Sequence, residues 1–232
     1  ITKLWYSGKN ELKEKISNME CHKCLKKCGN NEQKDKKSSF WGWFNKNPKL
    51  SPQEPEKFSQ IALVGMPNVG KSALFNALTG TYVTVSNYPG TTVEVSRGKM
   101  FIDDISMAVV DTPGMYSLLP ITEEEKVARD LLLQETINLA IHVIDAKNLG
   151  RMLPLTFQLI ETGLPVLLAV NMMDEAEQLG IKINRENLEK KLGIPVVTMA
   201  AALNIGIQDL KKTACQYVKS DNLSRTFGKG DR

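Results

Sequence analysis

The octapeptide "GMPNVGKS", residues 65–72, constrains this chain more than any other stretch. It fits the pattern G-x-x-x-x-G-K-[ST] and stands between a strand-like apolar run, residues 61–65, and a helix-like stretch, Lys71 to Leu78. Gly65 and Gly70 permit a tight loop, completed by Met66, Pro67, Asn68 and Val69, whose N–H groups are expected to wrap phosphates. The helix that starts there, with Ala73 in its first turn, aims its positive end at the same anion. Lys71 would reach the β- and γ-phosphate oxygens, and the Ser72 hydroxyl would coordinate Mg2+. A chance glycine-rich turn is the bland alternative, and the flanking strand and helix argue against it.

The rest of the chain agrees with that loop. Further strand-like runs occupy residues 105–111, 139–146, 165–171 and 194–199. Helix-like stretches lie between and after them: Glu123 to Gln134, Met152 to Thr162, Arg185 to Leu192 and Gln208 to Val218. Val- and Ile-rich strands alternating with helices predict an α/β fold of the P-loop NTPase type, a mostly parallel sheet covered by helices on both faces. Ligands of such sheets sit at the carboxyl ends of the strands, where the motifs of this chain lie. Three segments are expected: a basic, partly disordered leader and linker (1–59), the main domain (60–220) and a polar tail (221–232).

Asp111-Thr112-Pro113-Gly114 closes one strand, 40 residues after Lys71. Asp111 would hold Mg2+ through a water, and the Gly114 N–H would meet a γ-phosphate. "NMMD", residues 171–174, closes another. Guanine offers two adjacent donors, N1–H and the 2-amino group, and the Asp174 carboxylate can accept both. Adenine lacks that pair, so a site built this way rejects it. Asn171 would support the other edge of the base, and the apolar stem of Met172 can cover its face. The bland alternative makes Asp174 a helix cap.

These motifs resemble the translation-factor-like GTPases. "VSNYPGTTVEVSRG" (85–98), with Asn-Met-x-Asp and Asp-x-Pro-Gly-x-Tyr-Ser-Leu, is similar to the ferrous iron transport protein B family, FeoB. The resemblance runs from about Ile61 to Lys212. It implies the amino-terminal G domain of a membrane protein for Fe(II) uptake, at the cytoplasmic face of the cytoplasmic membrane, binding GTP and GDP with Mg2+ and hydrolysing GTP slowly. The membrane transport portion of the same or a longer protein would be its partner, with a homo-oligomer left open and no nucleic acid expected. Gly90, Thr91 and Thr92 would line the nucleotide, Thr92 as the switch threonine that ligates Mg2+ in the GTP state. Loss of the γ-phosphate would release residues 85–94. The guanine-contacting Ser-Ala of the family falls near Ala200-Ala201, without its serine hydroxyl. The helical bundle usual after the G domain has only about 20 residues here, and the leader has no counterpart.

The residue after Gly114 is Met115, where Ras-like switches carry a water-orienting glutamine. The resemblance supplies a substitute: Asn68, with Asn87 in the switch, would bind K+ against the phosphates. Such an ion would place positive charge where an arginine finger otherwise works, worth about 10³–10⁵ in rate. Water would be positioned by switch backbone groups. The bland alternative leaves Asn68 and Asn87 stabilising their own turns.

The leader carries 13 Lys and Arg against 7 Asp and Glu; the remainder carries 17 against 19. The basic excess therefore lies outside the main domain, where it favours an anionic surface or is simply solvated. Cys21, Cys24 and Cys28 follow C-x2-C-x3-C and could hold zinc or iron, although a closed site needs a fourth ligand. "FWGWF" (40–44) would dock, self-associate or touch a membrane. His142 is expected in the core, and Thr122 as a helix cap. No run reaches the roughly 18 apolar residues of a membrane span, and no signal peptide is evident. Two other readings stay open: a soluble GTPase of ribosome or tRNA maturation, and a non-hydrolysing GTP/GDP sensor in which Met115 marks lost catalysis.

Overall fold

The computed structural model describes residues 59–80, 83–102 and 105–227. The cysteines and tryptophans of the leader lie outside them. Seven strands form one sheet in the order β2-β3-β4-β1-β5-β6-β7. They are β1 (Gln60–Val64), β2 (Val83–Asn87), β3 (Glu94–Ile102), β4 (Ile105–Asp111), β5 (Leu139–Asp145), β6 (Val166–Asn171) and β7 (Val196–Thr198). From β4 to β7 every pair is parallel. β2 and β3 are antiparallel additions at one edge.

Every residue of β5 and β6 is buried. A strand apolar on both sides needs cover on both faces, and the helices supply it. The helices are α1 (Lys71–Thr79), α2 (Glu123–Gln134), α3 (Leu149–Glu161), α4 (Met173–Gln178), α5 (Arg185–Leu192) and α6 (Ile207–Phe227). α1 packs on β3 and β4, α3 on β5 and β6, α5 on β7, and α6 on α1, β3 and β5. In α6 the apolar spacing puts Leu210, Ala214, Tyr217 and Val218 on one face; Leu210, Ala214 and Val218 are buried and Tyr217 is half-buried.

Local chemistry sets several boundaries. α2 starts where the Thr122 hydroxyl accepts the Glu125 N–H at 3.2 Å and the Glu125 carboxylate reaches back, a capping box. α3 starts at Leu149, earlier than its apolar periodicity indicates, and runs through Pro154. His142 is fully buried in β5, its Nδ1 2.9 Å from the Thr156 hydroxyl on α3.

Candidate functional site

The parallel strands deliver four loops to one edge of the sheet. β1 leads into residues 65–72, β4 into 111–116, β6 into 171–174, and β7 into Ala200 and Ala201. Register brings Asp111 opposite Leu63, and Asn171 opposite Asp145. The loops are packed closely enough to dictate glycine. Gly70 has φ 83°, and a Cβ there would stand 2.3 Å from Asn171 Nδ2. A Cβ on Gly114 would meet the Pro67 ring at 2.8 Å.

Lys71, Ser72 and Asp111 converge at the mouth of the loop. Ser72 Oγ donates to Asp111 Oδ2 at 3.0 Å, and Lys71 Nζ lies 3.7 Å from Asp111 Oδ1. Asp111 Oδ1 is buried without a hydrogen-bond partner. Burial raises the Asp111 carboxyl above its usual range, while the Lys71 charge and the Ser72 bond pull it down. A buried carboxylate oxygen with spare lone pairs beside a serine hydroxyl is the donor set of a hard divalent cation. Among the described residues no group of three or more His, Cys, Asp and Glu could hold a metal. Mg2+ is usually held by one or two protein oxygens together with substrate phosphates, and Ser72 Oγ and Asp111 Oδ1 are two such oxygens.

On the base side, Asn171 is buried and spends its amide on the protein. Nδ2 donates to the Val69 carbonyl at 3.0 Å, and Oδ1 accepts the Ala201 N–H at 2.9 Å. Asn171 thereby ties the phosphate loop to the segment after β7, a role that motif reading did not assign to it. Asp174 is half-buried in the first turn of α4. The cap of that helix is Met172, at φ 61° and without a side-chain cap bond, so Asp174 is not the cap. The Met172 methyl reaches to 3.8 Å from a Cβ built on Gly70.

The residues of the switch segment divide. Thr92 is exposed. The Thr91 hydroxyl instead donates to the Tyr88 carbonyl at 2.9 Å and accepts the Val93 N–H at 3.2 Å, closing the turn at Gly90. Asn68 is exposed at φ 63°, and Asn87 is exposed at the end of β2, across from Glu94. Met66 and Val69 are buried, so those two positions face the site through backbone. Thr112 is buried too, its hydroxyl on the Leu63 carbonyl at 2.8 Å.

Met115 is fully buried, and its N–H donates to the Gly65 carbonyl at 3.0 Å. Its side chain belongs to the core and leaves the phosphate side to the backbone. The loop beyond it is held by Glu125, which accepts N–H bonds from Tyr116 at 3.2 Å and Ile121 at 2.8 Å. Those bonds, the one to Ile121 foremost, hold the Glu125 carboxyl below its usual range despite burial. The sequence pattern shows only the capping half of this role.

The chain matches the family model described as ferrous iron transport protein B over residues 59–214. It is 40% identical over 167 residues to the Fe(2+) transporter FeoB of Escherichia coli K12, covering 70% of this chain and 22% of the relative. Identity to the Helicobacter pylori transporter is 45% over 141 residues, covering 61% and 22%. The chain thus spans 22% of the length of these curated relatives. Among solved structures, the FeoB G-domain of Methanococcus jannaschii superposes with a TM-score of 0.62 at 44% identity, covering 70% of this chain and 99% of that one. The cytosolic domain of L. pneumophila FeoB gives 0.66 at 42%, covering 68% of each.

Proposed function

The chain belongs to the ferrous iron transport protein B family, as a G domain with a P-loop GTPase fold, and from that premise we propose that it binds GTP with Mg2+ and hydrolyses it to GDP and phosphate. The observation that carries this reading is Asp111, whose buried Oδ1, without a hydrogen bond, stands beside Lys71 and Ser72. Water would attack the γ-phosphorus as its bond to the bridging oxygen breaks. Lys71 offsets charge on the phosphate oxygens, and Gly65 to Ala73, Pro67 excepted, cradle them through backbone N–H groups. The Gly114 N–H meets the γ-phosphate. Ser72, Asp111 through a water and, in the GTP state, Thr92 would hold Mg2+, which would supply positive charge to the phosphates. Asp174 reads guanine, with Met172 over the base face and Ala200-Ala201 at its far edge.

Asn68 and Asn87 are the proposed K+ ligands, and both are exposed. Orientation of water falls to switch backbone, because Met115 faces the core. The biological reading is nucleotide-dependent control of ferrous iron uptake by a membrane portion of a longer protein. Its support is the identity of 40–45% to relatives named as Fe(2+) transporters. No helix among the described residues is long and apolar enough to cross a membrane.

GTP turnover with Mg2+, measured in K+ and then Na+ for wild type and Asn68→Ala, tests this. Faster turnover in K+ that Asn68→Ala abolishes supports the full reading. Equal rates in the two salts remove the K+ role. Tight binding with no turnover removes hydrolysis and leaves the sensor.

A further inference from the structure

Asp174, the proposed guanine reader, sits on a helix with few anchors of its own. α4 has six residues, and its left-handed cap makes no side-chain bond. A helix this short does not hold itself in water. Burial of Ala176 and a hydrogen bond from the Met173 N–H to the Met199 carbonyl, 3.1 Å, fasten one side.

A second tether comes from the end of β5. Asp145 is buried there, directly across from Asn171. Its Oδ1 accepts the Lys147 N–H and its Oδ2 accepts Asn148 Nδ2, each at 2.9 Å. These bonds fix the short 3-10 turn Ala146–Asn148. From that turn Lys147 Nζ reaches Glu175, 28 residues on, and forms an ion pair with its carboxylate. Asp145 Oδ2 stands 3.9 Å from the same ammonium. Glu175 is the immediate neighbour of Asp174.

We propose that Asp145, Lys147 and Glu175 form a positioning relay for Asp174, and that Lys147 thereby helps determine guanine specificity from outside the nucleotide motifs. The proposal rests on Asp174 being the guanine reader. Glu175 foremost, then Asp145 and Asp174, raise the Lys147 pKa, which keeps the tether charged. The pair is partly exposed, with side-chain exposures of 25% and 50%, so it contributes little to global stability. Its effect is geometric. Two parallel N–H bonds from guanine require the carboxylate in one orientation, and they weaken steeply when it turns.

The readout is the affinity ratio of GDP to inosine diphosphate, which lacks the 2-amino group. Both are competed against fluorescent mant-GDP on the whole chain with Mg2+. Wild type should prefer GDP, and Asp174→Asn should lose that preference. Lys147→Met and Glu175→Gln should each shrink the ratio by about three- to tenfold. The double variant should be no worse than either single one, with melting temperatures unchanged. Lys147→Arg should restore the ratio. A wild-type preference that both single variants leave intact overturns the relay alone. Equal wild-type binding of the two nucleotides overturns the guanine reading and the relay with it.

Discussion

Asn171 Nδ2 donates to the Val69 carbonyl at 3.0 Å, across 102 residues of sequence. With Ala201 on its oxygen, this one carboxamide makes the phosphate loop and the base-side loops a single body. Asn171→Ala would leave a buried carbonyl and a buried N–H without their partner. The expected cost is about 2–4 kcal/mol in urea unfolding, with nucleotide affinity falling alongside.

Gly70→Ala should abolish nucleotide binding while the chain remains folded. A left-handed alanine costs about 1–2 kcal/mol before any clash, and its methyl would overlap Asn171 Nδ2. Circular dichroism together with mant-GDP titration separates loss of the site from loss of the fold.

Met115→Gln should not raise GTP turnover, although it installs the residue that Ras-like switches use. The side chain would enter the core and bury an amide without partners, costing about 1–3 kcal/mol. A lower melting temperature with unimproved turnover is the expected pair of results. Increased turnover would show that residue 115 can face the phosphates.

His142 gives the domain a defined acid sensitivity. Burial lowers its pKa from 6.5 to about 3. Between those values the unfolded chain binds a proton that the folded chain refuses, so stability falls as pH falls through that window. The slope is about 1.4 kcal/mol per pH unit for one proton. His142→Leu should remove about one proton's worth of that slope in urea titrations at several pH values. The freed Thr156 hydroxyl can turn to a carbonyl of its own helix.

The parallel core was open to reading because its strands are continuous apolar runs, of which β1, β4 and β6 lead into motif residues. The start of α2 follows from Thr122, the cap expected from the sequence, and α5 starts where the Asn184 side chain accepts the Asn187 N–H at 2.8 Å. β2 and β3 escaped because their segment carries the switch motif, and all five residues of β2 are exposed, leaving no buried alternation to detect. α4 is too short to show periodicity. The sequence places the start of α3 late because Gly150 in its first turn is a poor helix former that packing overrides. Within the candidate site, residue types and spacing point to Lys71, Ser72 and Asp111, which the fold brings together, and to Asp174, which lies in the first turn of α4. Which way Met115 and Thr112 turn, and what Asn171 binds, depend on contacts between segments 30 to 102 residues apart, and these carry no local signature.

The antiparallel edge has a consequence for how the domain opens. Among the described residues β2 pairs with β3 alone, and the turn between them carries Thr92. Separating β2 exposes little apolar surface, so this arm can unzip as its own small cooperative unit while β1, β5 and β6 stay closed. Amide hydrogen exchange should record two tiers: β2 amides exchanging through low-energy local opening, and β5 and β6 amides only through global unfolding. A nucleotide that captured Thr92 would then be read as slowed exchange across the whole of β2.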